Sequence, residues 1–413
     1  MATSKTHITS LRIVFMMILV IAFTKCSREE KGPNYETSAP EGQYQIGIYG
    51  HALDLTKGGG FIVSGYIKYL SKKDRDHDLW VMKADKAGNK EWCKTFGGES
   101  TDRAWSVRQM QDGNFLITGE TYSFGKDYQI FLLKLDKTGK QVWGKLVGGD
   151  QAEHGMASFL NSDKRAYISG SAWSDSLGRA NFYLSEISMQ GQLFDEWTFD
   201  HDWQGGAAAL TVLVDRDILM LGNIQNKMDR SVDLGLIRVD QSGVLVSKNR
   251  FGSVSSDEAG GVVATSDGGY LVAGTEFKDK INKRDAVVYK FNAADSIEWK
   301  QYFGGKSEDG AVNIISASDG GYVVIGYTQS SGAGFRDVYL IKLDAHGELE
   351  WSRTYGGKKT DWAYDIKQTP EGGFLISAGS KSTGQNATDI WILKVDKSGE
   401  KEWDRVYCTP AES

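Results

Sequence analysis

Four prolines and three cysteines are spread over 413 residues, and each scarcity closes a class of explanation. So little proline excludes proline-rich linkers and collagen-like segments. Cys26, Cys93 and Cys408 are too few to form a disulfide framework. After residue 42 there is no low-complexity stretch, and no basic stripe offsets a formal charge of −6. That balance argues against nucleic acid and against anionic lipid surfaces as partners. No nucleophile elbow, phosphate-cradling loop or Ser/His/Asp arrangement stands out.

What is abundant is glycine, 49 residues, together with 12 tryptophans and 17 phenylalanines. Tight hairpins and a large core follow from such a composition. The order of these residues is periodic. An aromatic or aliphatic anchor opens a short apolar run at Phe61, Phe115, Tyr167, Ile218, Tyr270, Tyr322 and Phe374, in steps of 54, 52, 51, 52, 52 and 52. A glycine closes the run at Gly65, Gly119, Gly170, Gly222, Gly274, Gly326 and Gly379. A period near 50 built from short strands marks a propeller rather than a helical solenoid.

One copy, Asp309 to Gly357, reads as four strands. Ala311–Ala317 turns through Ser318-Asp319-Gly320-Gly321 into Tyr322–Gly326; Asp337–Leu343 then turns through Asp344-Ala345-His346-Gly347 into Glu348–Tyr355. The second and third strands are apolar on consecutive residues, as in Ile130-Phe131-Leu132-Leu133 and Ile390-Trp391-Ile392-Leu393. A sheet with one wet face would alternate, so both faces must be covered. Burial is worth roughly 1.5 to 3 kcal/mol per large side chain, and an isolated sheet cannot collect it. The expectation is an all-β fold: a seven-bladed β-propeller of four-stranded antiparallel blades.

The third strand usually runs into an Asp-x-x-Gly turn and then a tryptophan: Asp85 to Trp92, Asp136 to Trp143, Asp344 to Trp351 and Asp396 to Trp403. The carboxylate takes backbone N–H groups and glycine takes the left-handed position. The indole is placed to wedge between neighbouring sheets. Residues required in every blade read as packing. The third and fourth copies drift, with Ser188 in place of the turn aspartate and Val246 or Ser247 in place of tryptophan.

The Asp-Gly-Gly turn, the aspartate opening the third strand and the aromatic-Gly-Gly close together resemble the bacterial β-propeller repeat of secreted and lipoprotein-type surface proteins. That resemblance implies a propeller and an extracytoplasmic address, and no single activity. Asp136 to Trp143 is also similar to the tryptophan docking motif of quinoprotein-like propellers, which usually have eight blades and a turn one residue longer.

Residues 1–25 read as a signal peptide, with Lys5 and Arg12 before the apolar run Ile13 to Phe23, too short to span a bilayer. Cys26, after Lys25, resembles the lipidated first residue of a bacterial lipoprotein. Residues 26–41 read as a tether, 42–408 as the single propeller and 409–413 as a tail. Cleavage would remove three cations and no acid, taking the charge from −6 to −9. Cys93 and Cys408 would then remain, in blades that a closed ring makes neighbours. Tyr44 to Tyr49 resembles a further fourth strand that would compete or cooperate with Glu402 to Tyr407 in closing the ring.

Sites should lie where copies differ. Asp102, Asp257, Asp309 and Asp361 enter the first strand at matched positions. They either ring a channel mouth, where they would hold a cation or cationic ligand, or cap the backbone of their own or the next blade. His51, His154 and His201 fall on the same kind of position. Beside them, Trp105, Trp203, Trp362 and Tyr364 stand where other copies carry small residues, and aromatics next to carboxylates suit stacking on sugar rings. The run Asp74-Arg75-Asp76-His77-Asp78 alternates acids like half a calcium loop but lacks its glycine, so neither a metal nor a cofactor is expected. The reading is a monomeric, non-enzymatic propeller of the bacterial envelope, an outer-membrane lipoprotein or secreted protein. It would bind a protein or glycan on one rim and meet the membrane only through its lipid anchor. The alternative is a channel-centred enzyme, polysaccharide-cleaving or quinone-dependent.

Overall fold

In a computed structural model the chain forms seven antiparallel sheets whose innermost strands surround one channel. The structure describes residues 33–37, 44–70, 77–149, 151–161, 165–174, 178–199, 203–226, 230–278, 283–383 and 388–407. The innermost strands of blades 1 to 7 are Tyr44–Leu55, Asp102–Gln109, Glu153–Leu160, Gln204–Val212, Glu258–Ala264, Asp309–Ser316 and Asp361–Gln368. Each is followed outward by three more strands in chain order. The seven-bladed, all-β propeller expected from the period is therefore the fold.

Strands apolar on both faces end up buried on both faces. Phe115–Thr121 and Gln129–Leu135, the middle strands of blade 2, are buried throughout. Their side chains contribute to separate clusters on either side: Phe115, Ile117 and Phe131 join blade 1, while Leu116, Ile130 and Leu132 join blade 3.

Outer-strand tryptophans key every blade but the fourth to the next. The turn glycines Gly139, Gly191, Gly243, Gly347 and Gly399 lie in the left-handed region, and a Cβ on any of them would come within 2.1 to 2.9 Å of Trp92, Trp143, Trp197, Trp299 and Trp351 respectively. In blade 3 the aligned position is Asp195, and Trp197, two residues on, does the reaching. Blade 4 has no such tryptophan. Ser247 stands there, and its hydroxyl donates to Asp295 at 2.5 Å. Asp295 replaces the turn glycine of blade 5 and holds φ 59°.

The junction glycines answer a second demand. A Cβ on Gly304 would lie 2.6 Å from both Asp285 and Asp309; Gly97 sits likewise between Asp78 and Asp102. Each lies between the aspartate that opens a third strand and the one that opens the next blade.

Ring closure departs from one expectation. Tyr44 to Tyr49 is not a fourth strand: it begins the innermost strand of blade 1 and pairs with Phe61–Leu70. Lys401–Tyr407 is the outer strand of blade 7. The first and last blades meet through side chains and single backbone contacts: Leu53 N–H to Asp365 at 2.9 Å, Ser377 hydroxyl to Gly50 O at 3.0 Å, and Tyr407 hydroxyl to Gly88 O at 2.6 Å. Part of the segment read as a tether is packed. Glu36–Thr37 adds a fifth strand to blade 1, and Tyr35 fills the space above Gly144, where a Cβ would fall 2.4 Å from its ring.

Candidate functional site

Every innermost strand carries a bulge at the same height. The residues left over by the register shifts are His51, Trp105, Met156, Ala208, Gly260 with Gly261, Val312 and Tyr364. A bulge inserts an extra residue and re-aims side chains locally. Here the extra residue of every blade reaches the channel: His51, Trp105, Met156, Ala208, Gly260, Val312 and Tyr364 are all part of its lining.

The run-closing glycines make the bulges possible. A Cβ on Gly65, Gly119, Gly170 or Gly326 would sit 1.7 to 1.9 Å from the carbonyl oxygen of the facing strand, so only glycine allows that approach. Blade 7 differs. Ala378 occupies the equivalent pairing position, and Gly379, one residue later, gives way to the indole of Trp362 at 2.8 Å.

The resulting ring of side chains is lopsided. Blades 7, 1 and 2 contribute Tyr364, His51 and Trp105, whereas blades 4, 5 and 6 contribute alanine, glycine and valine. The aromatic wall continues behind: His51 lies 4.4 Å from Trp105, 4.8 Å from Tyr364 and 5.3 Å from Tyr66, which in turn stacks on Tyr49 at 4.7 Å. The Arg103 guanidinium sits over Tyr66 at 5.2 Å. Facing this wall is open space, a cavity of about 490 Å³.

Burial, reinforced by Arg103, lowers the His51 pKa to about 3, and His77 behind it falls to about 4 for the same first reason. His51 is therefore neutral at ordinary pH. Its Nε2 and the Trp105 Nε1 are both shielded from solvent and have no hydrogen-bond partner among the described residues. Burial also pushes the Tyr364 phenol above its usual range. Deeper in the channel, Asp365 is committed: it accepts from Leu53 N–H, from Asn313 at 2.9 Å and from Lys367 at 2.8 and 2.9 Å.

Of the residues singled out in the sequence, His51, Trp105 and Tyr364 are brought together. Trp362 lies beside them, its ring 6.1 Å from Tyr364, but packs on its own blade. Trp203 lies apart, packed against the core between blades 3 and 4 with Lys248 over its ring. His154 sits outward of the wall, 2.5 Å from Glu120. His201 lies outside the described residues, as do Cys26, Cys408 and Asp74 to Asp76. Cys93 is half-buried, and burial pushes its thiol up to about 11.

The four matched aspartates ring no open mouth. Asp102, Asp257, Asp309 and Asp361 are buried and cap their own junctions, accepting from Gly98, Ser253, Gly305 and Gly357 N–H at 2.7 to 2.9 Å and from serine hydroxyls. A carboxylate so enclosed is a staple, and desolvation raises Asp257 to about 6. Met156 and Asp365 also line the channel and were not singled out in the sequence, while Tyr66 and Tyr49 stand behind the wall.

No family model matches the sequence, and no curated protein matches it. Its fold is found among solved structures. The chain is similar to the lignostilbene dioxygenase of Pseudomonas brassicacearum (TM-score 0.55, 10% identity, 90% of this chain and 93% of that one). It is also similar to a puromycin hydrolase (TM-score 0.53, 12% identity), covering 93% of this chain and 55% of the hydrolase. A third is the WD40 domain of Neurospora crassa Pan2 (TM-score 0.50, 10% identity, 84% and 94%). This chain thus spans about half the length of the hydrolase, and at such identities the likeness is one of fold.

Proposed function

We propose that this chain is a non-enzymatic binding propeller of a bacterial cell envelope, held there through Cys26, and that it binds a glycan at the channel mouth walled by blades 7, 1 and 2. The observation that carries the reading is the aromatic wall itself, with His51, Trp105 and Tyr364 brought together on one side of the open channel. A sugar ring stacked on that wall would cover Trp105 and Tyr364 with its apolar face.

Binding is favoured over catalysis because the rings around His51 are Tyr66, Trp105 and Tyr364, which offer it no carboxylate. Among the described residues, the one acid lining the channel, Asp365, is already held by Lys367 and Asn313. The address at the envelope rests on the short apolar run and Cys26 alone.

Glycan-array binding tests the reading. Retention of glycans by the wild type, lost in Trp105→Ala/Tyr364→Ala with an unchanged far-UV spectrum, is expected. Equal retention by that double variant would exclude the channel mouth as the site.

A further inference from the structure

A second cavity of about 400 Å³ opens between blades 3 and 4, and Met156 and Ala208 line both it and the channel. The two spaces therefore adjoin, with only these two side chains of the bulge ring between them. Each falls in the range of ~300–1,000 Å³ usual for small-ligand sites.

The chemistry of this groove is neutral and rich in hydrogen-bonding groups. Gln204 and Gln225 face each other directly across the strand pair, and Ser171 and Asn223 complete the polar lining. Asn223 already accepts from Ala259 N–H at 2.8 Å, which leaves its NH₂ to donate. Among the described residues, the only ionisable one lining it is His154, against Glu120. In the channel, Asp365 and Lys367 neutralise each other, and Arg108, which donates to Ser158 O at 3.1 Å, is the other cation of the lining among the described residues. Along the groove itself a charged ligand would find no unpaired counter-charge.

An aromatic platform stands at the groove's outer edge. Trp173 follows Ser171 by two residues and so shares its face of the strand, and it pairs directly with Ala180, another lining residue. It is 41% exposed.

We propose that the ligand is an extended neutral oligosaccharide running from the channel mouth, past Met156 and Ala208, along the groove between blades 3 and 4 to Trp173. This rests on the glycan reading and adds its length and path. One sugar stacks at His51, Trp105 and Tyr364; the following units take hydrogen bonds from Gln204, Gln225 and Asn223; the outermost stacks on Trp173.

Calorimetric titration of the full chain with gluco-, manno- and chito-oligosaccharides, from mono- to hexasaccharide, tests it. The wild type should bind more tightly as the chain lengthens. Trp173→Ala, which keeps its melting temperature because the side chain is exposed, should lose roughly tenfold for the longest members, the worth of one stacking platform, and nothing for the monosaccharide. Trp105→Ala should weaken every length. Affinity independent of length, or a Trp173→Ala variant equal to wild type, overturns the extended path while leaving the mouth site standing. Binding of none of the series, or of peptides instead, removes the glycan reading and this inference with it.

Discussion

The His51 imidazole stands edge-on to the Trp105 indole, ring centroids 4.4 Å apart at 66°, although the two residues belong to different blades. Each is the extra residue of its strand's bulge. The contact therefore depends on two glycines, Gly65 and Gly119, that let the facing carbonyls approach. Repeat geometry supplies the direction, and the identity of the extra residue supplies the chemistry.

Gly119→Ala is expected to separate these two layers. Its Cβ would lie 1.9 Å from Arg103 O, so the bulge must open and Trp105 must swing. A lowered melting temperature together with lost ligand binding is the expected outcome. Thermal melts and titration on one preparation check it, and a variant with wild-type values of both would disprove the role of the glycine.

Trp143→Ala should cost about 3–5 kcal/mol as a buried large-to-small change, because the ring is 2% exposed and lies against Gly191. Denaturant unfolding measures it.

The Ser247–Asp295 pair occupies the place that tryptophan and glycine hold elsewhere. Ser247→Trp alone should destabilise, since the indole meets the Asp295 side chain and takes from Arg238 one of its three carboxylate partners, Asp295 at 3.2 Å, leaving Asp215 and Asp217. Asp295→Gly in the same chain should recover part of the loss by making room. A double-mutant cycle reads the coupling, with about 0.5–3 kcal/mol expected for residues in contact; additive effects would show that the two positions are independent.

Much of this was legible in the sequence, and the boundary is physical. Seven anchors, the Asp-x-x-Gly turns and the doubly apolar strands fix a closed ring, since each is a local pattern repeated. Asp85 does accept from Ala87 and Asn89 N–H, as its turn required. Ring closure was not legible, because Tyr44 to Tyr49 has the alternation of either an inner or an outer strand. The channel lining needed the repeat register: Trp105 lies ten residues before its anchor Phe115 and is the bulge residue, whereas Trp203 lies fifteen before Ile218 and the position matching Trp105 is Ala208.

Asp257 should leave a mark on the pH dependence of stability. Its folded pKa, about 6, lies above the ordinary carboxyl value of 3.8, so between those values the folded state binds more protons than the unfolded one. That contribution is fully present below about pH 4 and is lost as pH rises through 6. Relative to Asp257→Asn, the wild type should lose stability across that window. Chemical unfolding of both proteins at several pH values checks the sign, and a wild type that gains stability relative to Asp257→Asn as pH rises would refute it.

His51, with a pKa near 3, stays neutral from pH 5 to 8, so ligand affinity should be flat there. An affinity that titrates around the ordinary histidine value of 6.5 would mean that the imidazole is solvated and not part of the wall.

The most direct measurement is the indole N–H region of the nitrogen-15-labelled protein during titration with neutral oligosaccharide, with the Trp105 signal assigned by Trp105→Phe. The Trp105 resonance should move in proportion to occupancy, while that of buried Trp143 stays still. Saturable binding with an unmoved Trp105 signal would contradict the central claim that the lopsided channel wall is the ligand site.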